Sequence, residues 1–277
     1  MGFFRQMVDF VGDAAGLEKT LRLIQALCQI CAFYPGILGR LLLGMGTEGK
    51  DVDGKQMTVL EGLWRARREL AVGRRYLRFF RFIEHLSKAW DSLLNENGMK
   101  MLINVGKSGS MGAYLGLESL TILDVMDVCN TPWFRTCVLE GQKFWFYSLC
   151  ISIFGGLYDL YLMHFNINTN PPPDSSSHEN PIPSTSKLGE DAQAVQKQEE
   201  DSKRNEGNQK RKNRNKIVLK IIENIADLFV PGMVTGWIIS DLGVVGCALI
   251  VSTVLSSWEI WGRVGERELE VNGSRKR

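Results

Sequence analysis

The sequence predicts an all-α fold, a membrane-associated helical bundle. Three observations carry this expectation. Apolar residues recur at helical spacing or in long runs, and alternating, strand-like segments are scarce. One run, residues 144–162, reads FWFYSLCISIFGGLYDLYL with Asp159 its only charge, and at about 1.5 Å per residue it is long enough to cross a bilayer. One further helical stretch places bulky apolar side chains on one side and cations on the other.

Whole-chain averages conceal this pattern. With 277 residues, 44% hydrophobic content, a net charge of +2 and a mean hydropathy of -0.08, the chain resembles an ordinary soluble protein. The averages exclude collagen-like, wholly disordered and disulfide-stapled classes, and they argue against a many-span transporter. Resolved by segment, the charge is 0 over 1–60, +4 over 61–94, -2 over 95–167, -5 over 168–202, +7 over 203–220 and -2 over 221–277. Two basic blocks are thus offset mainly by one acidic tract. Basic blocks of this kind seek anionic partners.

Taken in order, the first helix is expected over 17–33, where Leu17, Leu21, Ile24, Cys28 and Cys31 recur at helical spacing and Pro35-Gly36 punctuates the end. A second apolar stretch, 37–43, leads into a polar Gly/Asp loop at 44–55. A single long helix follows over 58–95 and stops at Asn97-Gly98. Residues 99–129 read as one or two glycine-containing helices, broken at Asn130-Thr131-Pro132, and the bilayer-length run 144–162 comes next.

Residues 168–215 open on Asn-Pro-Pro-Pro and continue Ser-rich and then charged, with hardly any large apolar residue. A disordered linker is expected there, because the segment cannot bury enough surface to offset its ordering entropy. A helix over 217–229 runs to Pro231-Gly232, which reads as a stop or a kink. The mostly apolar stretch 233–255 follows, with Asp241 in its middle, and reads as a membrane helix or a short hairpin; Trp237, Trp258 and Trp261 serve as interfacial anchors. The expected organisation is therefore a helical membrane-associated domain over 1–167, a linker over 168–215, and a C-terminal helix with a membrane segment over 216–277. Basic residues flank the last apolar stretch on both sides, which favours a hairpin or a paired set of spans.

The most informative stretch is 72–94. Val72, Tyr76, Phe79, Ile83, Leu86, Trp90 and Leu93 step by four and three residues, broadened by Phe80, Phe82 and Leu94. Arg74, Arg78, Arg81, His85 and Lys88 step the same way on the opposite side. A soluble helix mixes charge signs on its wet face. Aromatics opposite arginines describe a helix lying in the headgroup plane of an anionic phospholipid membrane. The expected lipid-binding residues are Arg74, Arg78, Arg81 and Lys88 for phosphates, and Val72, Tyr76, Phe79, Ile83, Leu86 and Trp90 for the acyl region. A calmodulin-like partner and a plain core helix fit the same pattern, and no base-reading module accompanies it, so nucleic acid is not an expected partner.

Catalytic chemistry is not legible. His85, His164 and His178 have no neighbouring nucleophile or acid at a recognised spacing. Gly106-Lys107-Ser108 lacks the first glycine of a phosphate loop, since position 101 is Met. The carboxylates Asp124 and Asp127 read as structural or solvated. Cys28-Gln29-Ile30-Cys31 lies in an apolar helical run with no second pair, so reduced, packed cysteines are expected. No enzyme activity, cofactor or metal is expected.

Four colinear stretches resemble the peroxisomal biogenesis factor 11 family. They are Gly16-Leu17-Glu18-Lys19-Thr20-Leu21-Arg22-Leu23-Ile24-Gln25, Gly73-Arg74-Arg75-Tyr76-Leu77-Arg78, Leu123-Asp124 with Lys143-Phe144-Trp145, and Asp227-Leu228-Phe229-Val230-Pro231. Leu17-Glu18 and Phe79-Phe80 depart from that family's pattern, and the long linker marks a divergent member. The resemblance implies an integral protein of the peroxisomal membrane that tubulates it through the amphipathic helix. It also implies self-association into homo-oligomers and recruitment of a dynamin-type fission GTPase with its membrane receptor, and so peroxisome fission and proliferation. Two other readings stay open: a membrane channel for small metabolites, with Asp159 and Asp241 lining a pore, and a pure adaptor for the fission machinery.

Overall fold

A computed structural model describes residues 3–34, 36, 52–169 and 188–274. Among these, the regular structure is helical throughout: α1 (Phe3–Gly12), α2 (Ala14–Phe33), α3 (Val52–Leu77), α4 (Arg81–Asn95), α5 (Gly98–Leu120), α6 (Ile122–Val125), α7 (Phe134–Thr169), α8 (Leu188–Thr235) and α9 (Leu242–Ser274). The chain divides into two compact units, residues 1–155 with 222–277, and residues 156–221.

In the first unit α2 is central. It packs against α3 and runs antiparallel to α9: Ala26 meets Val245 and Leu249 in a small core joined by Phe229, Val230 and Met233. Glycines on α9 set the closeness of this approach. A Cβ on Gly246 would stand 2.8 Å from Ile30 Cγ1, and one on Gly243 would stand 2.6 Å from Phe33 and Tyr34. Small residues at such a seam let two helix backbones meet. α1 closes the far end, where Phe10 packs with Ile260, Val264 and Trp261. α5 pairs with α4 on one side and α7 on the other. Tyr114 stacks on Trp145 at 5.2 Å and the Ser148 hydroxyl donates to the Lys107 carbonyl at 2.9 Å.

Along α2, the unit's part of α8, and α9, the polarity is reversed relative to a water-soluble bundle. α2 buries Glu18, Arg22, Gln25 and Gln29, stepping by four, three and four, and exposes Ile24 and Leu27. α8 buries Glu223, Asn224 and Asp227 and exposes Ile222 and Ile225. α9 buries Ser252, Thr253 and Ser256 and exposes Val244, Val251, Val254 and Trp258. Buried polar groups with an apolar outside are the arrangement a lipid solvent selects. The interior groups pair with one another. Arg22 bonds Asp227 and the Ser252 hydroxyl, Arg67 donates to Gln29 Oε1, and Arg74 joins Glu18 to Gln25.

The second unit contains the last part of α7 and the α8 residues up to Ile221. Here Ile217 and Ile221 lie against Gly156, where a Cβ would stand 2.8 Å from Ile221 Cγ1.

Several expectations are corrected. The single helix over 58–95 is two helices. Residues 78–80 form a turn closed by three-residue hydrogen bonds, such as Arg81 N–H to the Arg78 carbonyl at 3.0 Å. The carbonyl of Phe79 instead accepts from the Ser119 hydroxyl of α5 at 2.6 Å, so a tertiary contact stabilises the break. The loop expected at 44–55 ends by Val52, where α3 begins; residues 37–51 lie outside the described residues. Of the expected disordered linker, 170–187 lie outside the described residues, while 188 onward is helical. Residues 188–220 are rich in Lys, Gln, Glu and Arg, all strong helix formers, with Glu190 and Asp191 at the end where the helix dipole favours acids. Pro231 does not stop α8, which continues to Thr235. Nor is Asp241 inside an apolar helix: it is exposed just before α9, and its carbonyl accepts from the Val245 N–H. The left-handed Gly236, at φ +77°, turns the chain between α8 and α9.

Other expectations agree with the structure. The all-α class is observed, the run 144–162 lies inside α7, and the six cysteines are free thiols. Two helical segments, residues 134–165 of α7 and 242–265 of α9, are long and apolar enough to cross a membrane.

Candidate membrane-contact site

The site expected from the sequence straddles the turn between α3 and α4, and the structure sorts its residues into two groups. Arg74 and Arg78 are not on the outer surface. Arg74, on the last turn of α3, points its guanidinium at α2. Its Nε and Nη2 donate to Glu18 Oε1 at 3.1 and 2.9 Å, and its Nη1 donates to Gln25 Oε1 at 2.7 Å. Arg74 and Glu18 are 7% and 5% exposed, so this pair is shielded from water and from lipid headgroups alike. Arg78 turns toward α5, donating to Glu118 Oε1 at 3.0 Å, with Arg75 Nε 3.5 Å from the same oxygen. The Tyr114 hydroxyl donates to Glu118 at 3.1 Å. Burial and the Glu118 carboxylate push that hydroxyl up to about 12, against the pull of nearby arginines, so it stays a neutral donor. The cationic stripe of residues 72–94 therefore ends where α4 begins, and its first half ties helices together.

α4 itself packs one side on α5. Phe82, His85, Ala89 and Ser92 are half-buried at three- and four-residue spacing, and Leu86 lies over Gly112, where a Cβ would stand 2.9 Å from its Cδ2. No residue of α4 is fully buried. Ile83, Leu86, Trp90, Leu93 and Leu94 are exposed, as is Phe80 in the turn, with Trp90 at 61% and Leu94 at 65%. Of the other residues expected to touch lipid, Tyr76 is exposed on α3, while Val72 and Phe79 are half-buried.

The exposed charges of α4 nearly cancel. Arg81 and Lys88 are exposed, but so are Glu84 and Asp91, and Lys88 Nζ sits 2.6 Å from Glu84 Oε1. His85 does not add a cation at neutral pH. Burial lowers its pKa, as do Arg81, Lys88 and Lys107, with Glu84 opposing. What α4 presents outward is an apolar ridge with mixed charges beside it, rather than a cationic face.

The signal that would have separated the arginines lies in α2. Glu18, Arg22, Gln25 and Gln29 form a polar stripe on a helix otherwise read by its apolar residues, and such a stripe needs buried partners. Asp124, expected to be structural or solvated, accepts from the Thr131 N–H at 2.6 Å and the Thr131 hydroxyl at 2.8 Å, which holds the turn before α7. Asp127 occupies the left-handed region at φ 56° in that same connection.

The family model of Peroxisomal biogenesis factor 11 (PEX11) matches residues 52–261. No curated protein and no solved structure matches the chain. Three of the four resembling stretches, at 73–78, 123–145 and 227–231, fall inside the match; the stretch at 16–25 precedes it. The matched span runs from the start of α3 into α9 and so includes the α4 ridge, the first bilayer-length segment and residues 242–261 of the second. The chain belongs to the peroxisomal biogenesis factor 11 family, which gives it a role in peroxisome biogenesis and an association with the peroxisomal membrane.

Proposed function

We propose that this protein is integral to the peroxisomal membrane, spans it with α7 and α9, and elongates it by seating the apolar ridge of α4 in one leaflet. The observation that carries the reading is the exposed ridge of Phe80, Ile83, Leu86, Trp90, Leu93 and Leu94. A ridge in one leaflet expands that leaflet's area and curves the sheet. The spanning part is supported by the apolar outer stripes: Phe144, Tyr147, Phe154, Leu157 and Tyr161 on α7, and Val244, Val251, Val254 and Trp258 on α9. Each apolar group transferred from water contributes roughly 25 cal/mol per Å², so a ridge of six large residues anchors α4 without help from charge. The wedge is passive and needs no catalytic group. Anionic phospholipid is its surface. Self-association, and recruitment of a dynamin-type fission GTPase through its membrane receptor, complete the route from elongation to fission and proliferation that the family resemblance implies.

The test is reconstitution of the full chain into vesicles, followed by electron microscopy. The wild-type chain should draw vesicles into tubules. Ile83→Ser, Trp90→Ser and Leu94→Ser combined should leave them spherical at equal protein density. Tubules of unchanged frequency would refute the wedge.

A further inference from the structure

One charged segment is not used by the wedge. Within residues 203–216 of α8 lie Lys203, Arg204, Lys210, Arg211, Lys212, Arg214 and Lys216, against Glu206 alone. Residues 207–216 are all exposed. At 3.6 residues per turn Lys210, Arg211, Lys212, Arg214 and Lys216 are distributed around the helix, and residues 203–216 span about 20 Å of it. We propose that residues 203–216 bind the headgroups of anionic phospholipids reversibly, as a second membrane contact separate from α4.

Three features select this partner. The apolar residues Ile217 and Ile221, directly after the basic run, lie against Gly156 of α7. That contact lies within the apolar run of α7, six residues or about 9 Å before the run ends at 162, so the cations that precede Ile217 on α8 lead away from it toward the headgroups if α7 spans; the proposal rests on that reading. Residues 188–202, immediately before, carry a net charge of -4. An anionic surface repels them, which confines the contact to the basic run. Finally, residues 203–216 hold no aromatic or large apolar side chain, so they offer no stacking platform for bases and no wedge of their own. The attraction is electrostatic and falls off within a Debye length, about 8 Å at physiological salt.

The experiment uses the full chain reconstituted into phosphatidylcholine vesicles with or without about 30% phosphatidylserine, probed over a range of salt. Co-flotation with both vesicle types tests the spanning reading itself; a chain that floats with neither overturns that reading and this proposal together. On co-floating protein, trypsin cleavage within 203–216 of the outward-facing population is followed by mass spectrometry. Cleavage should be at least about 10-fold slower with phosphatidylserine at low salt, and the difference should vanish near 0.5 M salt. Each cation near such a surface is worth about 5-fold in binding, so Lys210→Gln, Arg211→Gln and Lys212→Gln together should weaken it about 100-fold and restore cleavage at Lys203, Arg204 and Lys216. Equal cleavage on the two vesicle types overturns the proposal. So does protection by a short DNA duplex on phosphatidylcholine vesicles where phosphatidylserine gives none, because the segment would then be a nucleic-acid contact.

Discussion

Replacing Arg74 by Gln separates a fold residue from a lipid residue. Its guanidinium makes two bonds to Glu18 and one to Gln25, with both charged partners less than a tenth exposed. Removing it leaves the Glu18 carboxylate buried without a cation in bonding range. Breaking a buried pair from one side costs about 3–5 kcal/mol, whereas replacing both partners by apolar groups of similar size is often close to neutral. Arg74→Gln should therefore lower the unfolding temperature by roughly 6–20 °C, taking about 2–4 °C per kcal/mol for a chain of this size. The double variant Arg74→Met with Glu18→Leu should recover most of that loss. Arg81→Gln, at an exposed position, should shift stability by less than about 0.5 kcal/mol. The assay is thermal unfolding in detergent followed by circular dichroism, run as a double-mutant cycle. Wild-type stability for Arg74→Gln combined with lost membrane binding would refute the reasoning, because Arg74 would then be a headgroup ligand.

Two further predictions follow from packing and titration. Gly246→Leu should destabilise by about 1–3 kcal/mol through overpacking, since even its Cβ would stand 2.8 Å from Ile30; Gly262→Leu, in open space on the same helix, should be neutral or mildly stabilising by the same unfolding assay. His85 has a lowered pKa in the folded hairpin, so below its ordinary value of 6.5 the unfolded helix binds a proton that the folded one resists. Stability of α4 against α5 should then fall as pH drops through 6.5 toward the lowered value. Amide exchange across α4, corrected for intrinsic rates, should speed up at acid pH, and His85→Gln should remove that change.

What was legible in the sequence is what depends on neighbours along the chain. Helical periodicity located α2, the Asn97-Gly98 stop, the break near Pro132 and the bilayer-length run inside α7. The site was only half legible. Ile83, Leu86, Trp90 and Leu93 are exposed along one helix, as their spacing predicts. Arg74 and Arg78 share the periodicity of Arg81 and Lys88, but their partners Glu18 and Glu118 are 56 and 40 residues away. Nothing local distinguishes a guanidinium aimed at a distant carboxylate from one aimed at a phosphate. The break at 78–80 escaped for the same reason, because Ser119 of α5 takes the Phe79 carbonyl. In 188–215 the low apolar content outweighed the helix-forming residues; a charged helix can form without a core of its own.

The central claim is that the α4 ridge enters the bilayer, and the depth of Trp90 tests it most directly. In a chain whose other six tryptophans are replaced by Phe, reconstituted into vesicles containing lipids brominated at successive acyl positions, the fluorescence of Trp90 should be quenched most by bromines in the upper acyl region, about 5–10 Å below the headgroup boundary. Because the ridge is apolar and its flanking charges nearly cancel, that quenching should be unchanged between low and high salt. Emission of a water-exposed indole, unquenched at every bromine depth, would contradict the account.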